Sequence, residues 1–164
     1  MGLDLNKAYL LLGSNLGKRE QYLANALDLI TKRIGHVFAK SVIYETEAWG
    51  KTDQPGFLNI AIGVETELSP LKLLDNALEI EAVIGRVRHE KWGARIIDID
   101  IVLYNNYVID VGEILQIPHP EMHNRKFVLE PLAEIASEIQ HPILKKTIAE
   151  ILSTLSDSLS VAKR

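Results

Sequence analysis

Between Ile96 and Leu103 the chain reads Ile-Ile-Asp-Ile-Asp-Ile-Val-Leu, an alternation with a period of two that an extended strand turns into two distinct faces. Ile97, Ile99, Ile101 and Leu103 share the apolar face, and Asp98 and Asp100 share the other. At the usual rise of a strand the two carboxylates lie about 6 to 7 Å apart. Like charges held that close are unfavourable unless a cation or a basic side chain neutralises them. Magnesium suits such a pair, because it binds through one or two carboxylates and fills its remaining positions with water and substrate phosphates. A lone Asp-x-Asp also occurs as two surface acids on a solvent-facing edge strand, so its neighbours must decide between the two readings.

The neighbours are basic. Arg86, Arg88, His89, Lys91 and Arg95 precede the strand with the single acid Glu90 among them, and Trp92-Gly93-Ala94-Arg95 leads directly into it. Arginine presents a planar fork of donors to phosphate oxygens, and a glycine-containing loop can carry such forks over a bound nucleotide. The chain as a whole has a formal net charge of -4, which argues against a general nucleic-acid binder. A local basic stretch in an acidic protein points instead to a confined anion, and phosphoryl-type transfer becomes the leading reaction class. With 164 residues and 47% hydrophobic content, a single domain can build its own core. The absence of cysteine removes disulfides, thiolate metal sites and cysteine nucleophiles, and fits a reducing cytoplasm. The short apolar run near the N-terminus is not a signal peptide, and no run approaches membrane-spanning length.

Periodicity predicts a strand over Lys7–Leu12, then a helix carrying Leu23, Leu27, Ile30 and Ile34. Strands are predicted over Val37–Tyr44 and Phe57–Thr66, separated by a long loop from Glu45 to Gly56. A second helix is expected from Ser69-Pro70, serine as its cap and proline at its first position, to about Ile84. After the Ile96–Tyr104 strand come one strand within Ile114–Pro120 and two short helices, Val128–Ala136 and Thr147–Leu155, with Pro118, Pro120, Pro131 and Pro142 breaking this half into pieces. The order implies an α/β (α+β), ferredoxin-like plan: a largely antiparallel sheet with helices packed on its faces.

Several further residues stand out. Glu81 falls on the apolar side of the second helix beside Leu74, Ala77, Leu78 and Ile84, so it either pairs with an arginine such as Arg86 or Arg88 or lines a cavity. His119 sits between two prolines, close in sequence to Arg125. Asn59 is polar between Leu58 and Ile60, placed to bond a sheet edge or a heterocycle, and Phe57 and Phe127 offer faces for a flat ring.

Taken in order, Gly13-Ser14-Asn15, Asp53-Gln54-Pro55-Gly56-Phe57-Leu58-Asn59, Ile80-Glu81, Gly85-Arg86-Val87-Arg88, Trp92-Gly93-Ala94-Arg95, Asp98-Ile99-Asp100, Pro118-His119 and Asn124-Arg125-Lys126-Phe127 resemble the pterin pyrophosphokinase family. The resemblance implies transfer of the β,γ-diphosphate of ATP to the hydroxymethyl group of 6-hydroxymethyl-7,8-dihydropterin, with release of AMP, in tetrahydrofolate biosynthesis. It implies that Asp98 and Asp100 hold two magnesium ions, and that Glu81, Arg88, Trp92, Arg95, Ile101, His119 and Arg125 surround ATP. Arg86 and Arg95 match arginines that assist the chemical step. Thr46, Ala48, Trp49, Phe57, Asn59 and Phe127 match the pterin pocket. Partners are expected to be small molecules only, with no nucleic acid and no membrane, for a cytoplasmic monomer. Departures from the family pattern are Phe57 at a frequent tyrosine, Pro120 after the histidine, Leu78 at a nucleotide-contacting glutamine, Ala94 at a frequent proline, and a basic loop one residue short.

Overall fold

The computed structural model describes residues 5–47, 56–85, 96–156 and 160–164. Strand β1 (Asn6–Ser14) enters the centre of the molecule and is followed by helix α1 (Arg19–Arg33), β2 (Gly35–Lys40), β3 (Tyr44–Thr46) and β4 (Phe57–Thr66). Helix α2 (Pro70–Gly85) leads to β5 (Asp98–Tyr104), a small hairpin of β6 (Ile109–Val111) and β7 (Leu115–Ile117), helices α3 (Lys126–Ala136) and α4 (Ile148–Thr154), and β8 (Val161–Lys163). The main sheet runs β5-β1-β4-β3-β8, with β2 also paired to β4, and its pairings are antiparallel.

Alternation along the two central strands divides the core in two. Leu10 and Leu12 of β1 and Leu58, Ile60 and Ile62 of β4 turn toward α1 and α2, whose Leu23, Ala26, Ile30, Leu73, Ala77 and Ile80 cover them. Tyr9, Leu11 and Ala61 turn the other way, onto Val128, Leu129 and Leu132 of α3 and Ile148 and Ile151 of α4. Both faces of the sheet are therefore packed, in agreement with the ferredoxin-like expectation. Ser69 begins α2 as expected: its carbonyl accepts from Leu73 N–H at 2.8 Å, and its hydroxyl lies 3.4 Å from the N–H of Lys72.

Four expectations need correction. The stretch Val37–Tyr44 is two strands, because β2 pairs with the Ile62–Thr66 half of β4 and β3 with the Phe57–Asn59 half. Between them Ser41 keeps the ladder closed with its side chain, accepting the Ala61 N–H at 3.0 Å. Leu103 lies on the opposite face from Ile97, Ile99 and Ile101: Tyr9 pairs with Leu103 but Leu10 with Ile101, so Val102 is an extra residue. That bulge sends Val102 and Leu103 together into the α3 side of the core. Pro131 does not break the C-terminal half but sits buried inside α3, where packing outweighs one missing backbone hydrogen bond. The single strand expected near Ile114 is the second arm of the β6–β7 hairpin.

Candidate active site

The α3-facing side of the sheet carries the chemistry. In register, Asp98 of β5 stands opposite Gly13 of β1, and Gly13 stands opposite Asn59 of β4, which makes one row across three strands. Asp100 stands beside Leu11 in the next row. Because the central residue of the first row is glycine, a trough opens between the carboxylate and the amide. A Cβ built on Gly13 would come within 2.7 Å of Asn59 Oδ1. Arg125 and Phe127, at the start of α3, complete the opposite wall, and Thr46, Glu47 and Phe57 close one end. The resulting cavity has a volume of about 320 Å³.

Two of its polar atoms await a partner. Thr46 Oγ1 and Asn59 Nδ2 are buried without a hydrogen bond among the described residues, although Thr46 and Asn59 are only 4% and 3% exposed. An unpaired buried polar group costs about 1 to 3 kcal/mol; Thr46 and Asn59 both line the cavity, whereas Ser14, whose Oγ is likewise buried without a partner among the described residues, does not. Phe57 stands at the lip and Phe127 is half-buried, and the Arg125 guanidinium lies 5.8 Å from the Phe127 ring centroid, a cation–π contact.

A second groove of about 500 Å³ begins on the far side of Asp100, bounded by His119, Ile99, Ile101 and the β6–β7 hairpin from Gly112 to Gln116. Asp100 borders both spaces. Burial holds the His119 imidazole below its ordinary pKa; Asp100 and Glu121 oppose that shift and Arg125 adds to it. His119 Nδ1 accepts the Glu121 N–H at 3.2 Å, which fixes the ring. Ile101 belongs to the core and to the groove wall at once.

Glu81 makes a contact that the sequence did not suggest, while its expected partners Arg86 and Arg88 lie outside the described residues. Its Oε2 accepts the backbone N–H of Ile99 at 2.6 Å. Among the described residues β5 is the sheet's edge, and Ile99 lies between the two aspartates, so α2 grips the edge strand where the acid pair projects. The surroundings are also less apolar than expected, since Leu78 is 52% exposed. Arg86, Arg88, Trp92, Arg95, Ala48 and Trp49 lie outside the described residues. Leu11, Gly13 and Glu47 were not anticipated as cavity residues; of the three only Gly13 stood out in the sequence, as part of Gly13-Ser14-Asn15 near the end of an otherwise bulky strand.

The profile of the 7,8-dihydro-6-hydroxymethylpterin-pyrophosphokinase (HPPK) family matches residues 9–137. The chain belongs to this family. A 2-amino-4-hydroxy-6-hydroxymethyldihydropteridine pyrophosphokinase from Methylorubrum extorquens is 44% identical over 155 residues, which span 94% of this chain and 96% of that protein. The protein of the same name from Haemophilus influenzae is 44% identical over 151 residues, 92% of this chain and 93% of its own. Among solved structures, wild-type HPPK-DHPS of Plasmodium falciparum superposes with a TM-score of 0.73 at 20% identity, covering 92% of this chain and 44% of that longer one, a likeness of fold. The segment matched by the HPPK profile contains every cavity residue named above, whereas α4 and β8 lie beyond it.

Proposed function

We propose that the chain transfers the β,γ-diphosphate of ATP to the hydroxymethyl oxygen of 6-hydroxymethyl-7,8-dihydropterin and releases AMP, a step of tetrahydrofolate biosynthesis in the cytoplasm. The observation that carries this reading is the row Asp98–Gly13–Asn59 with Asp100 in the row beside it, a carboxylate pair and a buried amide across one cavity. Asn59 reads the amide-like edge of the pterin, and Phe57 and Phe127 flank its ring. The hydroxymethyl group then points toward Asp98 and Asp100. The nucleotide occupies the adjoining groove, with His119, Ile101 and Glu81 around it and Arg125 between the two spaces.

The donor set fits magnesium: two carboxylates on one strand face, open to a cavity and a groove that both admit phosphate oxygens and water. Asp98 and Asp100 would hold two ions, which supply charge neutralisation of the triphosphate and acidity at the attacking hydroxyl. The protein's own part is to orient. The new bond joins the pterin oxygen to the β-phosphorus, the bond from that phosphorus to the oxygen shared with the α-phosphate breaks, leaving that oxygen on AMP, and the hydroxyl proton passes to solvent water. Arg86 and Arg95 serve the charge that gathers on the leaving AMP, while Arg88 and Trp92 hold the nucleotide. The chain is read as a single pyrophosphokinase domain acting as a monomer on small molecules.

Incubation with ATP, magnesium and the reduced pterin, followed by separation of nucleotides, tests the proposal. AMP formed in step with pterin diphosphate is expected. ADP as the product, or nucleotide turnover that ignores the pterin, would exclude it.

A further inference from the structure

The wall that closes the pterin end of the cavity is thin. It consists of β3, three residues long, and the Glu47 that follows, and its outer support is β8. Tyr44, Glu45 and Thr46 pair with Lys163, Ala162 and Val161. The pairing runs one step further: Glu47 N–H donates to the Ser160 carbonyl, and Ser160 N–H donates to Glu47 Oε1, both at 3.3 Å.

Across this wall lies a four-residue charge network. Arg19, at the start of α1, donates from Nη1 to Glu45 Oε2 at 3.1 Å and to the Gly56 carbonyl at 2.7 Å. Arg164 donates from Nη1 to the other oxygen of Glu45 at 2.7 Å, and from Nε to Glu20 at 3.1 Å. Each oxygen of Glu45 thus serves a different guanidinium. The Arg19 side chain is the more enclosed at 16% exposed, against 38% for Arg164. The Arg19 hydrogen bond, with help from Arg164 and against the cost of burial, holds the Glu45 carboxyl below the usual carboxylate range. Gly56 is part of the same joint, because a Cβ there would stand 2.4 Å from the Thr46 carbonyl oxygen. The backbone entering β4 therefore lies directly against the backbone leaving β3. Arg19 and Arg164 together hold Glu45 on one side of this joint, and Arg19 alone holds Gly56 on the other.

We propose that the Arg19–Glu45–Arg164 network is a positioning clasp: it holds β3 and Gly56 as a preformed wall, so Arg164 sets affinity for the pterin without touching it. The inference rests on the pterin reading of the cavity given above. Its logic is preorganisation. A wall already ordered costs nothing to order when the ligand arrives, whereas a released wall must be ordered at the expense of binding entropy. Such a loss enters the affinity and KM and leaves kcat alone, because Arg164 makes no contact that changes during the reaction.

Calorimetry with the reduced pterin, in magnesium and a non-hydrolysable ATP analogue, is the test. It compares the intact chain with Arg164→Gln, Arg164→Lys and Asn59→Ala. Arg164→Gln should weaken pterin binding about three- to fivefold, the scale of a partly exposed charge network, through a less favourable entropy. Affinity for the ATP analogue and kcat should hold, Arg164→Lys should recover part of the loss, and amide exchange at Glu45–Glu47 should quicken in ligand-free Arg164→Gln. Unchanged pterin affinity in Arg164→Gln, with Asn59→Ala impaired, overturns the clasp and keeps the site. Equal losses for pterin and nucleotide, or a fall in kcat, assign Arg164 a general structural role and also overturn it. If Asn59→Ala binds the pterin normally, the site reading fails and the clasp falls with it.

Discussion

Gly13 shows how much one missing side chain contributes to this site. It separates Asp98 from Asn59 in register, and any Cβ there presses on Asn59 Oδ1. The contact is with the end of a side chain, so Gly13→Ala should fold normally while Asn59 turns away from its place in the cavity. We expect Gly13→Ala and Asn59→Ala each to weaken pterin binding by about 1 to 3 kcal/mol, the worth of a buried hydrogen bond, with ATP binding little changed. Calorimetry on both variants checks this; a nucleotide loss as large as the pterin loss would show that the row serves the fold instead. The two aspartates were legible in the sequence because strict alternation forces them to one face. Asn59 was legible as a polar residue in an apolar strand. Gly13 was not, since its role depends on which strands lie to either side, and the bulge at Val102 hid the face of Leu103 for the same reason: a register irregularity leaves no trace in local hydrophobicity.

At the scale of elements, α2 and the α3–α4 connection each act through one side chain on a neighbouring backbone. Glu81 takes the Ile99 N–H on the open edge of β5. Glu81→Ala releases that edge between the aspartates and should cost about 1.5 to 3 kcal/mol, the range for a hydrogen bond to a charged group, while Glu81→Gln keeps an acceptor and recovers much of it. Magnesium-dependent ATP binding should fall with Glu81→Ala, and chemical denaturation beside nucleotide titration would reveal whether both effects occur. His141 is 4% exposed, and its Nδ1 accepts the N–H groups of Ile143 and Leu144 at 3.2 and 3.1 Å. That nitrogen must be free of a proton. Burial, with His123 adding to it, lowers its pKa from the ordinary value of 6.5. The folded value lies below the unfolded one, so its stabilisation is present above about pH 6.5 and is lost as pH falls toward the folded value. His141→Gln should flatten that part of the stability profile; an unaltered slope below pH 6.5 would locate it elsewhere. Long elements with a clear period were legible, β4 to both of its ends. The three-residue strands β3, β6 and β8 were not, because so few residues carry no period and form only where a partner edge is presented.

For the whole molecule, the site is a property of the completed sheet. Its cavity draws on β1, β3, β4, β5 and the start of α3, so residues from Leu11 to Phe127 must be assembled before any ligand is held. An unfolded chain offers no comparable surface, and a ligand that binds only the folded state stabilises it by mass action, by about 2.7 kcal/mol at a hundred times its dissociation constant. For a chain of this size each kcal/mol raises Tm by roughly 2 to 4 °C, so a saturating ligand should raise it by roughly 5 to 10 °C. The carboxylate pair makes part of this shift conditional on metal. A non-hydrolysable ATP analogue with magnesium should raise Tm by that amount, and excess chelator should remove most of the gain, since the triphosphate then meets Asp98 and Asp100 without a neutralising charge. Asp98→Ala and Asp100→Ala should abolish turnover and lose the same part of the shift. Melting curves for the three proteins, with and without chelator, decide the matter. A nucleotide shift that survives chelation in the intact chain, or magnesium-dependent turnover that persists in both variants, would mean that the acid pair does not hold the metal and that the phosphates are gripped by arginine alone.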